Sequence, residues 1–189
     1  MINYSAEITN MKRLMDPSFL VKAEKSAIKA TQRKAATQIS RKVREEYNVT
    51  ARAIADRLKL RLSPDNTEAY LWYIGTRIGL INFSGSFRNV RSARGKRFGA
   101  TAKIKKKGSR FITVGGFIAT GRNGNTHIFQ RKDLGQKGRL PIQSKTGPAI
   151  PQMVDTEEVL SSATKYVEQE YPKDLINRLN FYLQKQMGK

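Results

Sequence analysis

The apolar positions of this chain change period along its length, and each change marks a new element. Phe19, Leu20, Ala23, Ala27, Ala30, Ala35, Ile39 and Val43 recur at helical spacing and predict a long helix over 17–47. Asp16 suits its N-cap and Pro17 its first turn. The Ala-rich stripe permits close packing but releases little hydrophobic energy per residue, so this helix depends on what it packs against. Thr50 is placed to cap a short second helix, with Ile54 and Leu58 four apart on one face. The period then falls to two. Leu58, Leu60 and Leu62 alternate with Lys59 and Arg61, the pattern of a half-buried strand. A turn at Ser63-Pro64-Asp65-Asn66 leads into Ala69-Tyr70-Leu71-Trp72-Tyr73-Ile74, a continuous apolar run that predicts a buried strand and completes a hairpin.

From 84 to 110 the apolar signal fades. Gly85, Gly95, Gly99 and Gly108 punctuate a basic stretch that reads as a long loop or extended arm. Phe111–Thr120 restores a strand signal, with Gly115-Gly116 marking a bulge or a close backbone approach. Gly121–Asn125 is a hairpin loop and Thr126–Arg131 the return strand. Gly135 to Pro151 is coil punctuated by Gly and Pro. Helical spacing returns after Asp155 with Val159, Leu160, Ala163 and Val167, is broken by Pro172, and resumes with Leu175, Leu179 and Leu183. The predicted class is α+β: a long N-terminal helix packed on a mainly antiparallel β-sheet, a C-terminal helical segment, and a long basic loop or arm. One domain over 1–189 is expected, divided into a helical part 16–60, a β-rich part 57–150 with the arm at 84–110, and C-terminal helices at 155–187.

Charge sharpens this outline. The chain has 36 Lys and Arg against 15 Asp and Glu, a formal +21. Between Arg77 and Lys145 there are 17 basic side chains and one acid, Asp133. Such concentration costs self-repulsion on folding, so a negative partner is expected against it. Hydrophobic content is 39%, below the ~45–50% usual for globular chains, so part of the chain is expected to order in an assembly. There is no cysteine, which excludes disulfides and thiolate metal sites and suits a reducing cytoplasm. Neither a secretory h-region nor a run of ~18 apolar residues is visible, so a soluble chain made in the host cytoplasm and apart from any membrane is expected.

No catalytic constellation appears, and the chain is read as a non-enzyme with no cofactor. His127 is the single histidine, and with only Asp133 near it in sequence it is a poor start for a metal site. Glu45-Glu46 and Glu157-Glu158 are adjacent on helices, about 100° apart, and do not converge as acid–base dyads. Gly121-Arg122-Asn123-Gly124 has no following helix signal and is a turn, not a phosphate cradle. Tyr70, Trp72 and Tyr73 could stack bases, but strand cores use aromatics far more often.

Residues 116–153, GFIATGRNGNTHIFQRKDLGQKGRLPIQSKTGPAIPQM, carry a recognisable order. A Gly-Phe-Ile-Ala strand meets a glycine turn and a strand with Phe129 and Arg131. Arg139-Leu140-Pro141-Ile142 and Gly147-Pro148-Ala149-Ile150 follow. This resembles the tailed-phage minor tail protein Z family, whose members also begin with a long Ala- and Arg-rich helix, a short helix and a basic strand. The resemblance implies a virion protein of the neck or tail end of a phage or prophage, one that completes the tail and joins it to the head by assembling into a homo-oligomeric ring. Its implied partners are other neck and tail proteins, such as the tail terminator and head-completion proteins, and packaged double-stranded DNA. Asp133–Lys137 and the Lys-rich stretch before Phe111 depart from that pattern.

Three readings of the arm residues Arg88, Arg91, Arg94, Lys96, Arg97, Lys103, Lys105, Lys106, Lys107 and Arg110 are open: a clamp on an acidic neighbour, contact with DNA phosphates, or a solvated arm touching nothing. Phe129, Arg131, Arg139, Leu140, Pro141, Ile142, Gly147 and Pro148 are candidate assembly contacts, because Pro stiffens an extended segment and presets its side chains. Ile39–Leu60 is loosely like a helix-turn-helix with Arg52 and Arg57 on its second helix, which makes a small basic DNA-binding protein the alternative. A basic protein associated with ribosomal RNA is a third reading that composition alone would favour.

Overall fold

A computed structural model of the protein describes residues 4–65, 67–83, 89–91, 98–132 and 141–188. The chain divides into two compact units. The first comprises 1–39, 58–72 and 156–189; the second comprises 40–57 and 73–155.

The first unit is mainly helical. It contains α1 (Tyr4–Leu14), the N-terminal part of α2 (Pro17–Glu46), the hairpin strand β1 (Leu58–Leu62), all but the last residue of β2 (Ala69–Tyr73), and α5 (Glu157–Met187). The Ala stripe of α2 acts as expected. Ala23 and Ala27 are fully buried with Met15, Leu175 and Leu179, and Ile8, Met11, Phe19, Leu20, Tyr171, Tyr182 and Leu183 pack around them. Small side chains on α2 let the larger ones of α1 and α5 fill the space between the helices. A buried hydrogen-bond cluster fixes α5 beside α2. Asp174 accepts from the Thr31 hydroxyl at 2.9 Å and from Lys34 Nζ at 2.6 Å, and Lys34 also reaches Glu170 at 3.2 Å. Gln32 on α2 donates from Nε2 to the carbonyls of Arg61 (3.0 Å) and Tyr70 (2.8 Å), holding the β1–β2 hairpin from beneath.

Helix α5 corrects one expectation. Pro172 lies inside it and does not end it. An interior proline removes one backbone bond and clashes with the preceding turn. Asp174, Leu175, Ile176 and Leu179, all buried just beyond it, supply the packing that carries the helix through. Helix α1 leaves little trace in the sequence pattern: Ile8 and Met11 are its few inward residues, too short a stripe to stand out among polar neighbours.

The second unit is β-rich. It holds the C-terminal end of α2, α3 (Ala51–Ala55), β3 (Arg77–Gly79), a 3-10 turn (Leu80–Phe83), β4 (Asn89–Arg91), β5 (Phe98–Ala102), β6 (Phe111–Val114), β7 (Gly116–Thr120), β8 (Thr126–Arg131), β9 (Ile142–Ser144), β10 (Thr146–Ala149) and α4 (Ile150–Val154). The expected α+β class holds, but the strands form small sheets: β1-β2, β10-β3, β4-β5-β6 and β7-β8-β9. The pairings within the last three are antiparallel. Phe83, Ile54, Ile78, Ile128, Ile150 and Met153 are the largest fully buried side chains among the described residues of this unit.

The arm expectation needs a second correction. Strands β4 and β5 lie within 84–110, in register Asn89 with Ala100 and Arg91 with Phe98. Ala100, Thr101 and Ala102 are buried. The strand signal is weak in the sequence because these inward residues are Ala and Thr, which carry little apolar area. Farther on, the Phe111–Thr120 run is two strands, turned at Gly115, whose φ is +69°. A Cβ on Gly116 would fall 2.7 Å from Thr113 Cγ2, so this turn requires glycine at both positions.

Candidate functional site

The C-terminal end of α2 leaves backbone carbonyls without helical partners and carries the negative end of the helix dipole. The segment Lys103–Gly108 covers that end. The Lys106 amide donates to the Glu46 carbonyl at 2.8 Å, and Asn48 N donates to the Ile104 carbonyl at 2.8 Å. Asn48 Nδ2 donates to the Lys103 carbonyl at 2.9 Å. Tyr47 and Lys105 form an isolated antiparallel bridge. The Lys105 ammonium meets Glu46 Oε1 at 2.5 Å and sits 5.3 Å from the centre of the Tyr47 ring. These contacts, led by the Glu46 hydrogen bond, raise the Lys105 pKa above its ordinary value.

This geometry divides the basic residues by role. Lys105 holds the turn to the helix. Lys106 and Lys107 stand exposed at the tip and form no salt bridge among the described residues. Lys103 is half-buried and Arg110 exposed. Arg91 lies on β4, at the end of its pairing with β5. Arg88, Arg94, Lys96 and Arg97 fall outside the described residues. Over the whole second unit the sequence places 22 basic against 5 acidic side chains, +17 of the chain's +21. The first unit has 14 against 10. Most of the net charge therefore belongs to one unit, and the lysine turn that carries part of it is tied to the end of α2.

The candidate assembly residues do not form one patch. Phe129 is half-buried on β8, its ring 6.1 Å from Phe117 and 5.9 Å from His127. Arg131 and Ile142 face each other across β8 and β9, both exposed. Pro141 is exposed and its carbonyl accepts from Lys132 N at 3.1 Å. Gly147 is structural: a Cβ there would lie 2.5 Å from Phe83 Cε2. Pro148, with Arg77, Leu80, Ile104, Thr146 and Gln152, lines a shallow open groove beside it. Arg139 and Leu140 fall outside the described residues. The exposed part of the set is thus Arg131, Pro141 and Ile142.

His127 packs against the backbone of Gly79, where a Cβ would come within 3.0 Å of Nδ1. Nδ1 is sealed from solvent and has no hydrogen-bond partner among the described residues. Among the described residues no group of three or more His, Cys, Asp or Glu side chains could hold a metal. No helix among them is long and apolar enough to cross a membrane.

The helix-turn-helix-like segment resolves differently from a DNA reader. Thr50 caps α3 as expected, its hydroxyl accepting from Ala53 N at 3.2 Å. The helix ends at Ala55, little over one turn, and Arg57 donates to the Ala53 carbonyl at 3.1 Å. A recognition helix needs several base-facing positions along the groove, which α3 does not supply.

The hairpin β1–β2 departs most from expectation. Tyr70 and Trp72, expected in a core strand, are 49% and 46% exposed. Leu58, Leu62 and Leu71 turn to the half-buried face instead. A two-stranded hairpin has one inner face, so alternate side chains of an apolar run must stand outside. Sequence reasoning missed this because the run is apolar on both faces. The alternating Lys59 and Arg61 on the partner strand were the signal that pointed to it.

Comparison with known proteins adds one match. The model of a family described as prophage minor tail protein Z matches residues 5–189. Searches of curated proteins and of solved structures found no match.

Proposed function

The chain belongs to the prophage minor tail protein Z family, a family of phage tail proteins, and from that membership we propose that it completes the tail and joins it to the head. The match over nearly the whole chain carries this reading. It makes the chain a structural component of a phage tail, and the finer steps are our inference. The protein acts by assembly: copies form a ring, and the ring meets other neck and tail proteins, such as the tail terminator and head-completion proteins. No catalytic step is assigned to it.

Within that role the exposed lysines at the end of α2 clamp an acidic face of a neighbouring protein. Two features support this. The turn is held to the helix by backbone bonds and by Lys105, so Lys106 and Lys107 are presented at fixed positions. A ring would also multiply the +17 of the second unit around one axis, and that repulsion needs offsetting by acids or phosphates.

The test neutralises Lys103, Lys106, Lys107 and Arg110 together and leaves Lys105 in place. The clamp predicts tails and DNA-filled heads of normal composition that fail to join. If the variant instead joins normally but loses duplex DNA in low salt, DNA is the partner of the turn. If virions without this protein have normally joined tails, the proposed role is wrong.

A further inference from the structure

The outer face of the β1–β2 hairpin sets exposed aromatic rings among basic side chains. The Ser63 amide donates to the Glu68 carbonyl at 2.9 Å, and the Ile74 amide to the Arg57 carbonyl at 2.9 Å. These two bonds fix one register along the hairpin. It places Arg61 opposite Tyr70 and Lys59 opposite Trp72, and all four side chains are exposed. Directly opposed residues on one face have Cβ atoms about 4.5–5.5 Å apart. Each ring therefore has a basic residue opposite it on the partner strand. The two rings, two residues apart on one strand, are spaced about 6.8 Å along it.

We propose that this face binds single-stranded nucleic acid, with two successive bases on Trp72 and Tyr70 and the phosphates along Lys59 and Arg61. An unpaired strand repeats a flat base and a negative phosphate, and this hairpin repeats a flat ring and a positive charge. Stacking on aromatic side chains beside a basic track is how sequence-tolerant binding to single strands is achieved. A duplex cannot use the rings, because its bases are already stacked and paired. Arg61, Ser63, Pro64, Tyr70 and Trp72 line an open groove on this face, and Gln32 stiffens its floor through the Arg61 and Tyr70 carbonyls. The two acids at the turn are engaged locally: Glu68 accepts from the Tyr70 hydroxyl, and Asp65 accepts from Thr67 Oγ1 at 2.8 Å. Neither Lys59 nor Arg61 has an acidic partner among the described residues. The strand would run from the Trp72 end and stop short of Glu68. This surface belongs to the first unit, and its proposed role is independent of that of the lysine turn.

Trp72 is the chain's single tryptophan, so its emission reports directly on the site. The experiment titrates the full-length protein with oligo-dT of about a dozen nucleotides, with a duplex of equal length, and with poly-glutamate. Oligo-dT should quench Trp72, whereas duplex bound at equal occupancy should not. Because the basic unit will hold any DNA at low salt, the deciding quantity is the difference between the two. Measured by anisotropy of labelled DNA, Tyr70→Ala and Trp72→Ala should each weaken oligo-dT binding by about tenfold or more, with less than about a twofold effect on duplex. Trp72→Phe should retain most of the affinity, which separates lost stacking from a disturbed hairpin. Equal losses for both DNAs, or an unquenched Trp72 in wild type, overturn the proposal. Quenching by poly-glutamate as strong as by oligo-dT also overturns it and assigns the face to an acidic protein.

Discussion

Replacing Asp174 by Ala tests the buried cluster between α2 and α5. The Asp174 side chain is 10% exposed and accepts two hydrogen bonds, one from the buried Thr31 hydroxyl and one from Lys34. Loss of the acceptor leaves the Thr31 hydroxyl to find a helical carbonyl or go unpaired, a cost of about 1–3 kcal/mol. Lys34 is 40% exposed and keeps Glu170, so its loss is screened and adds less than about 1 kcal/mol. The sum is about 2 kcal/mol, or about 4–8 °C in Tm for a chain of this size. Asp174→Asn retains an acceptor for Thr31 and should lose about half as much. A double-mutant cycle with Lys34→Met should give a coupling below about 1 kcal/mol. Thermal unfolding followed by circular dichroism measures all three. An Asp174→Ala variant with unchanged Tm would refute the reasoning. So would a Lys34 coupling larger than the Thr31 loss, because the ion pair and not the Thr31 hydrogen bond would then hold the cluster. The pH dependence has a defined sign. The Lys173 and Lys34 hydrogen bonds hold Glu170 below its ordinary pKa of 4.5, so its contribution is present above that value and lost as pH falls through the depressed one. The hydrogen bond to Asp174 raises Lys34 above 10.5, so its contribution is present below that value and lost as pH climbs through the raised one.

Burial pushes the Tyr73 hydroxyl up to about 12, and that oxygen has no hydrogen-bond partner among the described residues. Tyr73→Phe should therefore raise stability by about 1 kcal/mol at neutral pH and remove a loss of stability between about pH 10 and 12, where the unfolded phenol ionises first; absorbance titration of the tyrosines checks the pKa. Gly147→Ala should lower stability by about 1–3 kcal/mol, since its methyl meets the fully buried Phe83, and an unchanged Tm would show that Phe83 can move aside. Replacing Lys106 and Lys107 by Gln should leave Tm unchanged, because neither side chain has a salt-bridge partner among the described residues, and should lower the salt slope of duplex binding by about 2 only if the turn touches phosphates.

Much of the architecture is legible where periodicity and caps agree. The stripe from Phe19 to Val43 gives α2 within a residue of its end, Thr50 marks α3, and Gly121–Asn125 marks the β7–β8 turn, where Gly124 takes φ +75°. The misreadings have particular causes. Pro172 is a local breaker overruled by Leu175 and Leu179 in the core. The strand β5 is written in Ala and Thr, so its burial leaves little apolar signal. Tyr70 and Trp72 look like core residues in sequence, and only the pairing of β1 with β2 decides which face they occupy. The basic run is visible from charge alone. The division between Lys105, spent on Glu46 and Tyr47, and Lys106 and Lys107, left exposed, depends on contacts between residues 59 apart in sequence. Membership of a tail protein family is legible from 116–153, because a strand–turn–strand followed by two Pro-containing segments is a more specific order than any composition.

The most direct measurement is the composition and imaging of purified phage particles made with and without this chain. The account predicts the protein in fixed copy number at the head-proximal end of the tail, and unjoined heads and tails in its absence. Particles that lack the protein yet carry joined tails and full heads would contradict it.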